Sequence, residues 1–344
     1  MDANVHLVLL PVLASAVLVA ALGLVQRAAL VGKSVALFQA AAYGAAFTCF
    51  CLTYIWWWGL SWPPHLRDGF WRVVIAGGVI NAGIQYLHAK SLTYKAGEVS
   101  LVTLLSAMTP GLVTIVALAL GEMPGLAGVV GIALMVVGSW ILLTKDKPEH
   151  WWGYLKPFKM FSLLVHYQAL APKDQERAKV IGLALGSACL STFGLLAVGL
   201  YARRAGDFQG IWAATIVNSG IVTIAFILLN LRRPLSLVGE WRGQWSTFAL
   251  CIGVYTVLLV GANYLEVPAF AETYVAYVGT LNRSRILFSI VLVWMFYKMG
   301  FVLFGEEDLK KRFVAALIII AGATCIASEG LPGRISDKLV FFGF

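Results

Sequence analysis

Long apolar runs alternate with short polar connections along the whole chain. A helix needs about 20 apolar residues to cross the hydrocarbon of a bilayer. Ten runs reach that length, near 5–25, 34–56, 70–92, 98–120, 124–144, 177–202, 208–231, 244–264, 271–298 and 310–328. The pattern predicts an all-α polytopic membrane protein with ten transmembrane helices and no room for a soluble domain between them. Trp56, Trp57, Trp58 and Trp62 mark the boundary after the second run, where amphipathic rings favour the headgroup level, and Pro63 and Pro64 then break the helix. The first run follows Asp2 and has no Lys or Arg ahead of it, which predicts a retained helix rather than a cleaved signal. The longest connection, 145–176, mixes Trp151, Trp152, Tyr154, Phe158, Leu163 and Tyr167 with Lys156 and Lys159. Such a mix suits a short helix lying in the interface plane. It separates a first half, 1–144, from a second half, 177–330, each with five spans; 331–344 is a tail.

Composition sharpens the class. Of the 344 residues, 60% are hydrophobic and 12% charged, against about 25% charged in soluble domains. Mean hydropathy is +0.83. These values exclude a soluble enzyme, a disordered chain and a nucleic-acid-binding domain. The net charge of +9 resides in loops and end turns, apart from Arg283 and Arg285. Basic loops suit an anionic cytoplasmic leaflet, so the charge says little about partners. Most Lys and Arg follow odd-numbered spans, which by the positive-inside rule puts both termini outside. Cys49, Cys51, Cys189, Cys251 and Cys325 lie within apolar runs, form no CxxC pair and read as small packing residues.

The two halves share a mark. Gly121-Glu122 is followed sixteen residues on by Gly138, and Gly305-Glu306 sixteen residues on by Gly322. Between them Gly131, Leu134 and Met135 correspond to Ala315, Ile318 and Ile319. Tyr86-Leu87 and Tyr264-Leu265 also correspond, at an offset shorter by six, which points to an insertion near Met299 to Phe304. Five spans is an odd number, so the second repeat enters the membrane inverted, and inverted repeats build a substrate site near the midplane between halves. Small residues allow close helix approach: Ala76, Gly77, Gly78, Ala82 and Gly83 in the third span, Gly128, Gly131 and Gly138 in the fifth.

Gly97-Glu98-Val99-Ser100 through Pro110, then Gly121-Glu122-Met123-Pro124, then Gly128 to Gly138, resemble the first EamA repeat of the drug/metabolite transporter superfamily. The second half, 178–327, is similar to the second repeat, with Leu281-Asn282-Arg283-Ser284-Arg285-Ile286-Leu287-Phe288-Ser289 and the Gly305-Glu306 turn. The resemblance covers about 300 residues. It implies a ten-helix, two-repeat carrier of small molecules with both termini in the cytoplasm, opposite to the charge rule. Asn282 stands where a basic residue is common and Arg285 where a small one is, so no substrate transfers by analogy.

Arg283 and Arg285 fall roughly 18 Å into the ninth span, where an arginine costs at least about 2.5 kcal/mol and needs a partner or water. Residues two apart lie on nearly opposite helix faces. Arg283, on the face of Thr280, is the candidate for holding a carboxylate or phosphate, the alternative being a structural ion pair with a carboxylate such as Glu98, Glu266 or Glu272; Arg285 reads as structural. Asn81, Gln85 and His88 share a face of the third span, and Ser100, Thr103 and Ser106 form a stripe on the fourth; each set either lines a cavity or joins helices. Pro110 should kink its span and act as a hinge. Asn218, Ser219, Tyr255, Asn263, Tyr264, Glu272, Tyr274 and Tyr277 are the polar set of the second half, and Tyr277 is a substrate candidate with Asn282. His88, Glu98, Glu266 and Glu272 are the candidates for proton coupling.

The spans contain no HExxH, paired Asp motif, nucleophile elbow or phosphate loop, so a non-enzyme without metal or cofactor is expected. The expected function is a secondary-active transporter in a bacterial inner membrane, exporting a small metabolite or drug by alternating access. Its partners would be that solute, the bilayer and possible second copies in a homodimer. Carriage of phosphorylated or lipid-linked sugars is a variant; a lipid transferase and a membrane scaffold are the alternatives from other classes.

Overall fold

The computed structural model describes residues 4–63, 66–94, 126–143, 172–231, 241–272, 284–300 and 309–328, with the single positions 99, 102, 105, 109, 112 and 239. The described residues are helical between short turns: α1 (Asn4–Leu30), α2 (Val35–Trp58), α3 (Phe70–Thr93), α4 (Leu126–Leu143), α5 (Pro172–Ala205), α6 (Phe208–Asn230), α7 (Trp245–Glu272), α8 (Arg285–Lys298) and α9 (Leu309–Ser328). Five segments among them are long and apolar enough to cross a bilayer: Leu10–Leu30, Val35–Trp58, Ala178–Ala202, Phe208–Asn230 and Trp245–Glu266. This is a helical membrane protein.

Helix ends follow local chemistry. α2 stops at Gly59, whose positive φ of 65° lets its N–H close on the Ile55 carbonyl at 2.8 Å. α5 and α6 are separated by Gly206 and Asp207; the Asp207 carboxylate accepts from the Gly210 N–H at 2.7 Å and caps α6. α5 begins at Pro172, five residues before the predicted span, since proline suits a first helical turn. α7 runs to Glu272, eight residues beyond the predicted end, because Leu265–Ala271 keeps an apolar sequence around Glu266. α8 is described only from Arg285 onward. In the predicted fourth span, Val99, Val102, Leu105, Thr109 and Leu112 are helical, three or four residues apart. The predicted interfacial helix of the 145–171 stretch and both Gly-Glu turns lie outside the described residues.

The halves interleave. The most extensive packing pairs a helix from 1–144 with one from 177–330: α1 on α7, α2 on α6, α3 on α5 and α4 on α9. α3 also packs on α6, and α2 on α7. Ring contacts set the α2–α6 direction: Phe50 meets Trp212 at 5.6 Å, while Phe38 and Phe226 share the cluster at the opposite end, so the two helices run antiparallel. Close crossings use the expected small residues. A side chain at Gly78 would meet Ile221 at 2.7 Å, one at Gly83 would meet Leu190 at 3.0 Å, and one at Gly138 would meet Ile319 at 2.7 Å. Large apolar side chains such as Val79, Leu228, Leu250 and Val257 stay exposed on outward faces, where hydrocarbon receives them without cost.

Candidate functional site

Asn81 sits at the middle of the 24-residue α3, about 17 Å from either end. An amide midway along a packed helix must find partners, because an unpaired polar group away from water is costly. Its Nδ2 donates to Asn218 Oδ1 on α6 at 2.8 Å, and its Oδ1 accepts from Gln85 Nε2, one turn along α3, at 3.3 Å. These three amides form a relay across the interface between halves.

The relay borders a cavity of about 200 Å³. Tyr43 of α2, Asn81 and Gln85 of α3, Tyr201 of α5, Thr215, Asn218 and Ser219 of α6, and Leu259 and Asn263 of α7 line it. Eight of these nine side chains are polar and none is charged. Asn263 Nδ2 donates back to the Leu259 carbonyl at 2.8 Å, which leaves its Oδ1 uncommitted. The Thr215 hydroxyl donates to the Ile211 carbonyl at 3.1 Å.

An aromatic collar stands one turn toward the α6 N-terminus from Thr215. Trp57 stacks 5.4 Å from Trp212, 5.6 Å from Tyr264 and 6.0 Å from Phe208. Trp56 and Trp62 beside it are strongly exposed, as the boundary reading expects. At the same end, Gln209 Nε2 donates to the Tyr54 hydroxyl at 2.9 Å and to Ser61 Oγ at 3.2 Å, and the Arg67 N–H donates to the Arg204 carbonyl at 2.9 Å. The opposite end carries its own tie between halves. Lys33 Nζ lies 3.3 Å over the Trp241 ring and donates to Gln244 Oε1 at 2.7 Å.

Beside the cavity lies a charged group. Ser15 Oγ of α1 donates to Glu266 Oε2 of α7 at 3.3 Å. Glu266 is within electrostatic reach of Arg285 and of Tyr201, and Arg285 of His88. The Glu266 carboxylate and the Arg285 guanidinium therefore attract one another across the bundle.

Of the predicted site residues, the structure brings Asn81 and Gln85 into the cavity wall. His88, one turn farther on the same helix face, is not among the lining residues and lies within electrostatic reach of Arg285. Tyr277, Thr280, Asn282, Arg283, Pro110 and Glu98 lie outside the described residues, and so does the side chain of Glu272. From the second-half polar set, Asn218, Ser219 and Asn263 line the cavity, Tyr264 joins the collar, and Tyr255 packs 5.5 Å from Phe38. Tyr43, Tyr201 and Thr215 were missed. Tyr43 sits in an apolar run and Tyr201 at the end of one before Arg203 and Arg204, where tyrosine reads as a boundary residue; Thr215, three and four residues before Asn218 and Ser219, shares their helix face, and that spacing could have found it.

One solved crystal structure, described only as that of a protein, shares this fold: it superposes with a TM-score of 0.57 over 96% of this chain and 99% of its own, at 15% identity. No family model and no curated protein matches the chain.

Proposed function

We propose that the chain is a secondary-active transporter that exports a small metabolite or drug by alternating access between two inverted five-span halves, similar to EamA-type carriers. The observation that carries this reading is a polar cavity, lined from midway along the apolar helices α2 and α6, whose walls come from both halves. The packing supports the repeat. Exchanging α1 with α5, α2 with α6, α3 with α7 and α4 with α9 turns the α1–α7 contact into α5–α3 and the α3–α6 contact into α7–α2, and returns α2–α6 and α4–α9 to themselves. The same exchange holds at residue level. Gly44 approaches Thr223 while Gly220 approaches Phe47; Gly83 approaches Leu190 while Gly261 approaches Leu18. Two antiparallel helices exchanged in this way, α2 and α6, fit the two-fold axis that an inverted repeat requires.

Ser219→Cys tests the reading in a background with the five native cysteines replaced. A membrane-impermeant maleimide is applied from each side of sealed vesicles in turn. Alternating access gives labelling from both sides. A scaffold with a closed core gives none, and a transferase site open to one leaflet gives labelling from one side only.

A further inference from the structure

We propose that the cavity takes an uncharged polyhydroxy solute of about hexose size, a polyol or monosaccharide, rather than an anion or a cation. This rests on the transport reading and names its substrate class. Four features of the cavity carry it.

Its described wall holds no charged side chain. An ionised ligand would leave its charge uncompensated at low dielectric, which protein interiors avoid. Arg285 is not among the lining residues and lies within electrostatic reach of the Glu266 carboxylate.

The amide relay has two different ends. Gln85 donates to Asn81 and Asn81 donates to Asn218. Among the described residues this leaves Asn218 Nδ2 as an uncommitted donor and Gln85 Oε1 as an uncommitted acceptor, with Asn263 Oδ1 as a second acceptor on another helix. Turning all three amides over exchanges the ends but keeps one of each kind. A hydroxyl both donates and accepts, so a molecule with several hydroxyls meets both ends at once. A carboxylate or phosphate offers acceptors only, and an ammonium donors only.

Polar groups surround the space. Tyr43, Tyr201, Thr215 and Ser219 complete the wall, and Leu259 is its one aliphatic member. A flat heteroaromatic ligand presents apolar faces that such a wall does not match; a polyol is polar all round. The 200 Å³ volume corresponds to about seven waters at roughly 30 Å³ each, monomer-sized rather than drug-sized.

The test uses the full-length protein in vesicles of phosphatidylethanolamine and phosphatidylglycerol. They are loaded with an equimolar mixture of mannitol, glucose, gluconate, glucose 6-phosphate and glucosamine, and release is followed by mass spectrometry against protein-free vesicles. The expected result is release of mannitol or glucose at least tenfold above background, with gluconate, glucose 6-phosphate and glucosamine at background. Asn218→Leu and Gln85→Leu should each cut that release tenfold or more while keeping a monodisperse protein. Asn218→Asp should shift preference toward glucosamine. Preferential release of a charged member by the wild type overturns the solute class and leaves transport standing. No release of any member, with Ser219→Cys labelled from both sides, also overturns the class alone. No release together with one-sided or absent labelling overturns the transport reading as well.

Discussion

Single side chains divide here into those that hold the bundle and those that line its hollow. The Asn81–Asn218 hydrogen bond contributes only modestly to stability, since interhelical side-chain bonds in membranes average about 0.6 kcal/mol. Asn81→Leu should therefore lower stability by less than about 1.5 kcal/mol, read by reversible unfolding in mixed micelles, yet remove solute release. A large loss of stability would make the relay structural. Glu266 behaves differently. Glu266→Ala removes the acceptor of the Ser15 hydroxyl and a carboxylate that attracts Arg285, and should cost about 1–3 kcal/mol. Glu266→Gln combined with Arg285→Gln should recover most of that loss in the same unfolding measurement. No recovery in the double variant would mean that the two charges act independently. The amides of α3 were legible in the sequence because Asn81 and Gln85, four residues apart in an apolar run, demand partners wherever they fall. What they touch was not legible: Asn218 lies 137 positions away, and only the interleaving of halves brings it near.

At the scale of elements, glycines set how closely helices cross. Gly138 lies where α4 meets α9, and an added methyl would come within 2.9 Å of the Ala315 carbonyl and 2.7 Å of Ile319. Gly138→Ala should destabilise by about 1–3 kcal/mol through overpacking, measured as a lower melting temperature in detergent. An unchanged melting temperature would show that α4 and α9 can slide apart freely. The Lys33–Trp241–Gln244 tie and the Gln209–Ser61 tie close opposite ends of the bundle, each joining one half to the other. If the halves rock, covalent locking of either end must stop exchange. A Lys33→Cys/Gln244→Cys pair, oxidised in vesicles, should abolish solute release, and reductant should restore it; release that persists through the cross-link would separate this end from gating. The spans themselves were readable from apolar run length. Their ends shifted where proline favoured an earlier start, as at Pro172, or where apolar sequence continued past a charge, as after Glu266.

Seen whole, the molecule is two halves that do not pack as two bodies. α1, α2, α3 and α4 each make their largest contact with a helix of the other half, and contacts among α1, α2 and α3 are slight. The Gly-Glu marks suggest a repeat in the sequence. They carried no information about this interleaving, because a periodic match says which segments are alike and not which segments touch.

That interleaving has a consequence for how the chain is made. The first four described helices leave the ribosome before any of their main packing partners exists. They must wait in the bilayer, or in the keeping of the insertion machinery, with the Asn81 Nδ2 lacking its Asn218 acceptor and the glycine grooves of α2 and α3 filled by lipid. Synthesis of 1–144 alone should therefore give a short-lived product cleared by membrane proteases, as should 172–344 alone. Co-expression of the two pieces should restore both, since among the described residues the strong contacts lie between them.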